Sequence, residues 1–166
     1  MRASKAPSRG AGGQIDRLLD ERDAYLVGQV ADELGRDGWN VHVEIRFSEF
    51  GERGSIDILA LRPSGGIALI AEIKTELTAI DDTIRRLDVK SRLGGKLVFD
   101  RFGWRPTVVS CILVVLDRST NRRRAAAHEG SFARAVPDRG DALRRWLRTA
   151  GRTGQRPPFR VTYQRA

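Results

Sequence analysis

Three ionisable residues stand where charge is expensive. Asp57, Glu72 and Lys74 lie in two runs, Ser55-Ile-Asp-Ile-Leu-Ala-Leu61 and Ile67-Ala-Leu-Ile-Ala-Glu-Ile-Lys74, that are otherwise apolar. Such runs read as strands covered on both faces, and a carboxylate or ammonium within them is costly unless paired or bound to a cation. A turn signal, Pro63-Ser-Gly-Gly66, joins them. If those residues are the loop, antiparallel partners carry numbers that total 129, which sets Asp57 opposite Glu72. Side chains alternate along a strand, so Lys74 emerges on the face of Glu72. Facing carboxylates repel, and a hard divalent cation, Mg²⁺ or Mn²⁺, relieves the repulsion with the oxygen ligands it prefers. The adjacent ammonium can orient or deprotonate an attacking water while the cation stabilises charge on a phosphoryl oxygen.

The elements that must hold these groups follow from periodicity. Ile15, Leu18, Leu19, Leu26, Val30 and Leu34 form a helical stripe from Gln14, ended by Gly35 and Gly38. Strands are expected over Val41 to Phe50, Ser55 to Leu61 and Ile67 to Lys74, then a helix from about Ala79 to Leu93 and a buried strand from Thr107 to Leu116. Helical stretches cover Ser119 to Ala135 and Arg139 to Ala150, and a short strand fits Phe159 to Tyr163. This α-β-β-β-α-β order, with helices to follow, makes an α/β sandwich around a mixed sheet. Residues 1–13 read as a flexible tail, 14–150 as one domain, and 151–166 as an exposed linker and edge strand.

With 166 residues, 40% of them hydrophobic, the chain suffices for one packed core. No run approaches the ~20 apolar residues of a membrane span, and the N-terminus lacks an apolar signal core, so a soluble, cytoplasmic protein is expected. The lone cysteine, Cys111, lies in an apolar strand, which excludes an internal disulfide or a cysteine zinc site and predicts a buried thiol. The net charge of +9 is lopsided: residues 1–83 hold ten Lys+Arg against fifteen Asp+Glu, and residues 84–166 hold twenty against six. A basic half suggests a polyanion partner, and a local excess of acid suggests a cation site.

Asp57, fourteen intervening residues and Glu72-Ile73-Lys74 resemble the Asp…(Glu)-X-Lys signature of the PD-(D/E)XK, restriction-endonuclease-like nucleases. The approach Gly51-Glu-Arg-Gly-Ser-Ile-Asp57 and the sequel Glu72-Ile-Lys-Thr75 are similar to the resolvase-like branch. The resemblance covers Gln14 to Leu116. It implies metal-dependent hydrolysis of DNA phosphodiesters, with Asp57, Glu72 and the Ile73 carbonyl as metal ligands and Lys74 activating water. Ile56 replaces the proline of the motif, a position that contributes backbone rather than ligand atoms. The first helix departs further: Gly28 stands where many relatives carry a glutamate. Glu21, two turns earlier, is the expected substitute, and Glu33 competes with it. Loss of that carboxylate would suit the alternative of a catalytically inactive DNA-binding or regulatory module.

Arg53 and Ser55, on the approach to Asp57, and Arg85, Arg86, Lys90 and Arg92, on the following helix, are the candidate DNA contacts. Relatives that cut both strands often pair two active sites, which admits a homodimer, though no dimer surface is legible. His42 and His128 match no metal-ligand spacing, and Trp39, Trp104 and Trp146 read as packing residues. No serine triad or phosphate-cradling P-loop is present.

Overall fold

The computed structural model describes residues 11–135, 138–139, 141–149 and 160–164. The expected tail before residue 11 and the linker at 151–158 lie outside them. Helix α1 (Ala11–Arg36) leads into strands β1 (Asn40–Glu49), β2 (Glu52–Arg62) and β3 (Ile67–Lys74), helix α2 (Ile80–Phe102) and strand β4 (Val108–Leu116). Helices α3 (Ser119–Ala127) and α4 (Glu129–Ala135), strand β5 (Asp138–Arg139), helix α5 (Asp141–Thr149) and strand β6 (Arg160–Gln164) follow. The strands form one sheet in the order β1-β2-β3-β4-β6-β5, antiparallel from β1 to β3 and parallel beyond. The chain is therefore a mixed α/β fold, its mixed sheet flanked by helices in the expected α-β-β-β-α-β order.

Apolar alternation in β2, β3 and β4 divides the core between the two faces. Ile58, Ala60, Leu69, Ala71, Ile73, Ile112 and Val114 pack with Leu26, Val30 and Leu34 of α1 and with Leu143 and Trp146 of α5. Leu59, Leu61, Ala68, Ile70, Leu113 and Val115 pack with Leu87, Leu97 and Val98 of α2. Each fully buried leucine or isoleucine contributes about 1.5–3 kcal/mol. Leu26, Val30 and Leu34 of the α1 stripe are used in this way, whereas Leu18 is half exposed.

The β2–β3 register runs from Arg62↔Ile67 to Ile58↔Ala71, the pairing that the turn spacing predicts. Gly66 closes the turn at a φ of 66°, and its N–H bonds the Pro63 carbonyl at 2.9 Å. Helix α2 differs from expectation by running on past Leu93 through Gly94 and Gly95 to Phe102. A Cβ on Gly94 would stand 2.8 Å from Ile70 Cδ1 and 2.9 Å from Val109 Cγ1, so this glycine lets the helix lie against the sheet and does not stop it. The helix ends at Gly103, whose φ is 75°. The helix expected over Ser119 to Ala135 is two helices, interrupted at His128.

Candidate functional site

The site forms where the central hairpin comes apart. The β2–β3 ladder stops at Ile58↔Ala71, one step short of Asp57 and Glu72. The β1–β2 ladder lapses at the same level: Val43 pairs with Ile58 and Ile45 with Ile56, while Glu44 and Asp57 do not pair. Glu44 has a φ of 53°. Ile58 packs on the α1 side of the sheet, yet Ile56, two residues earlier, packs on the α2 side. Both strands therefore twist over at Asp57, and β2 parts from β3. The Asp57 carboxylate fills the gap: Oδ2 accepts the Ile73 N–H at 2.8 Å, in place of the carbonyl a continued ladder would offer. The N–H and C=O of one strand residue point the same way, so the Ile73 carbonyl faces the same opening.

Glu72 and Lys74 project to the α2 side, as alternation from Ile70 requires. Lys74 Nζ lies 3.3 Å from Glu72 Oε1, with about a third of the lysine side chain open to solvent. Glu72 is buried, and its other oxygen, Oε2, accepts a bond from Lys90 on α2. Asp57, Glu72 and Lys74 thus converge on one opening, together with a fourth charged group. Burial, and then the neighbouring Glu72 charge, raise the Asp57 carboxyl above its ordinary value; the Ile73 N–H and the two lysines oppose that shift without cancelling it.

Lys90 departs from its expected place among the DNA contacts. It shares the inner face of α2 with Leu87 and Gly94, at helical spacings of three and four, and its side chain is only 8% exposed. The sequence argument that facing carboxylates need an external cation is modified accordingly. Two carboxylates meet two ammoniums, and the four charges balance.

Around them lies a cleft of about 370 Å³, walled by Phe47, Glu52, Arg53, Gly54 and Ser55 of the β1–β2 hairpin and by Arg85, Arg86 and Val89 of α2. Arg53 and Ser55 are exposed on this wall. Arg85 and Arg86 share Asp82, at 2.7 and 2.6 Å, which holds the Asp82 carboxyl below its usual range. Arg92 pairs with Asp88 at 3.0 Å and is not part of the wall.

Neither expected α1 carboxylate joins the site. Glu21 borders an apolar groove with Leu18, Tyr25 and Leu116, and Glu33 borders a small cavity with Val30 and Leu143. The reason is the layering: α1 covers the sheet face opposite to the one from which Glu72 projects. The α1 carboxylate that reaches the end of β3 is Asp23, which accepts the Thr75 N–H at 3.2 Å.

Sequence reading also missed Asn121. Fully buried at the start of α3, it accepts the Leu77 N–H at 3.0 Å and donates to the Thr75 and Leu116 carbonyls, both at 2.9 Å. This one amide fastens the chain leaving β3 to the end of β4. A lone Asn before three arginines offered no signal beyond helix-start chemistry.

Other candidates stay out of the site. Cys111 is buried, and burial pushes its thiol up to about 12. His42 stacks on Phe102 at 4.6 Å, and His128 bonds the Arg124 carbonyl. Trp39 is buried against Trp146, with its Nε1–H donated to the Leu147 carbonyl at 2.9 Å.

Asp57, Glu72 and the Ile73 carbonyl make an all-oxygen set, which fits a hard cation that keeps much of its coordination for water and phosphate. Among the described residues no group of three or more His, Cys, Asp or Glu side chains is disposed to hold a metal, so Glu52, which also lines the cleft, does not join Asp57 and Glu72 as a third carboxylate. No described helix is long and apolar enough to cross a membrane.

No family model matches the chain, and no curated protein matches it. Among solved structures it is similar to the crystal structure of a protein of unknown function, AF1548, at 16% identity and a TM-score of 0.38, over 62% of this chain and 53% of that one. The chain thus spans about half the length of that neighbour.

Proposed function

We propose that this chain is a PD-(D/E)XK-type nuclease that hydrolyses phosphodiester bonds in DNA. The observation that carries the reading is the meeting of Asp57, Glu72 and Lys74 in a polar, arginine-walled cleft, where the hairpin gives up its ladder to present them. A fold selected only for stability would continue the ladder and keep a raised-pKa carboxyl out of it. Asp57, Glu72 and the Ile73 carbonyl would hold Mg²⁺ or Mn²⁺, which when bound supplies Lewis acidity to a phosphoryl oxygen and acidity to water. Lys74, at the solvent side of Glu72, is placed to hold a water by its ammonium and steady it for attack. Arg53 and Ser55 on one wall, and Arg85 and Arg86 on the other, suit contacts to backbone phosphates. The surface pairs with Asp82 are weak enough to be exchanged for a phosphate.

The test is cleavage or nicking of plasmid and labelled duplex with Mg²⁺ or Mn²⁺, with matched RNA in parallel. Activity should stop with EDTA and fall by at least about 100-fold in Asp57→Ala and Lys74→Ala. Cleavage that survives both changes would overturn the assignment.

One observation favours a second reading, a non-catalytic DNA-binding or regulatory module of the same fold. Both Glu72 oxygens already hold ammoniums, and α1 brings no carboxylate to the cleft. Unchanged DNA affinity in Asp57→Ala, with no cleavage under any divalent metal, would select it.

A further inference from the structure

We propose that the Lys90 ammonium is a built-in cation of this site: it neutralises one oxygen of Glu72 permanently and limits the cleft to a single divalent cation, held from the Asp57 side. The inference takes the kind of cation from the nuclease reading, and everything else from the geometry.

Lys90 is the odd charge of α2. Of the exposed cations, Arg85, Arg86, Arg92 and Lys96 find acids on their own helix three or four residues away, and Arg101 donates to the Arg46 carbonyl of β1. Lys90 instead turns inward and crosses to β3, where it meets Glu72, its only salt-bridge partner among the described residues. Burying an ammonium is costly unless a carboxylate answers it, and removing either member of a buried pair leaves the other uncompensated. The pair is therefore durable, unlike the exposed pairs on the outer face.

The oxygens left over set the capacity of the site. Glu72 has one oxygen to lend, since Oε1 faces only the part-exposed Lys74 at 3.3 Å, whereas Oε2 holds the buried Lys90. Asp57 gives Oδ2 to the Ile73 N–H, and its Oδ1 has no hydrogen-bond partner among the described residues. A first divalent ion held by Asp57 Oδ1, Glu72 Oε1 and the Ile73 carbonyl would bring the balanced quartet to a charge of +2. A second would need Glu72 Oε2, and so would have to displace a buried ammonium against that added charge.

Mn²⁺ alone is the probe, titrated into the full-length chain without nucleic acid and followed by electron paramagnetic resonance and calorimetry. Wild type should bind one Mn²⁺ per chain. Lys90→Met, which keeps the bulk and removes the charge, should bind Mn²⁺ about tenfold more tightly, because Oε2 is released as a ligand. Lys90→Arg, which keeps the charge, should stay within about twofold of wild type. Two Mn²⁺ ions in wild type would overturn the inference, and that measurement needs no variant to fold. So would a Lys90→Met protein, folded by its melting curve, that binds Mn²⁺ no more tightly than wild type. Cleavage plays no part in these readouts: a wild type that binds one ion and cuts no DNA would end the nuclease reading and leave the role of Lys90 standing.

Discussion

The two ends of the β2–β3 hairpin are held by opposite means. At the closed end, backbone pairs run without a gap from Arg62↔Ile67 inward, and Gly66 satisfies the turn with its own N–H. At the open end the ladder has stopped, and side chains do what the backbone did: Asp57 takes the Ile73 N–H, Asp23 the Thr75 N–H, and Asn121 the Leu77 N–H. A ladder tolerates any side chain of suitable size and shape, whereas a side-chain surrogate depends on particular atoms. The closed end is thus sensitive to shape, and the open end to chemistry. That contrast is also the price of a site, because a continuous ladder leaves no cleft between strands.

Two single changes would separate the ends most sharply. Asn121→Ala leaves the Leu77 N–H and the Thr75 and Leu116 carbonyls without their amide and should cost about 3 kcal/mol, read by chemical denaturation. Gly66→Ala at the closed end should cost about 2 kcal/mol. Its cause is steric, since the residue sits at positive φ and the new Cβ would stand 2.4 Å from Thr107 Oγ1. Only the first change should alter the site as well, lowering Mn²⁺ affinity, because it loosens the chain just beyond Lys74. If both variants lost stability and bound Mn²⁺ like wild type, the ends would be equivalent and the contrast false.

The next effect has the opposite sign. Burial and Glu72 raise the folded-state Asp57 carboxyl above its ordinary 3.8, so between these values the folded chain holds a proton that the unfolded chain has released. Stability from this group is fully present below 3.8 and is lost as pH rises through the raised value. Asp57→Asn keeps an acceptor for the Ile73 N–H and removes the charge, so at neutral pH it should be more stable than wild type by about 1 kcal/mol, or about 3 °C in Tm. The gain should shrink as pH falls through the carboxylate range. A variant less stable than wild type at pH 7, or a difference constant down to pH 3, would show that the Asp57 charge is well accommodated.

How much of this was legible beforehand follows the same division. The closed end could be read from the sequence because Pro63-Ser-Gly-Gly66 fixes the loop and the loop fixes the register, which in turn brings Asp57 and Glu72 to one level, a step past the last pair at Ile58↔Ala71. The order of helices and strands was legible from periodicity for the same local reasons. The open end was only partly readable. Lys90 lies eighteen residues beyond Glu72, and its inward turn is decided by where Gly94 lets α2 approach the sheet. Ending the helix at about Leu93 hid that approach. Glu21 and Glu33 failed as site residues because the face on which α1 packs is a tertiary fact, and helical periodicity cannot supply it. Asn121 was invisible because two of its partners come from the segment after β3 and the third from the end of β4, which only the folded sheet brings together.

The smallest effect tests whether the open end meets its substrate on two walls or on one. Arg53 belongs to the hairpin and Arg85 to α2, and both line the cleft. Neither supports the fold, so Arg53→Ala and Arg85→Ala should each leave stability within about 0.5 kcal/mol of wild type. If each arginine neutralises one phosphate, each change should reduce the slope of log affinity against log salt by about 1 and weaken DNA binding about threefold at moderate salt. The arginines occupy separate walls and have no common partner, so the double variant should lose the sum of the two slopes. A loss confined to Arg53→Ala would mean that Arg85 keeps its pair with Asp82 when DNA binds, leaving the hairpin as the only wall that grips the phosphate backbone.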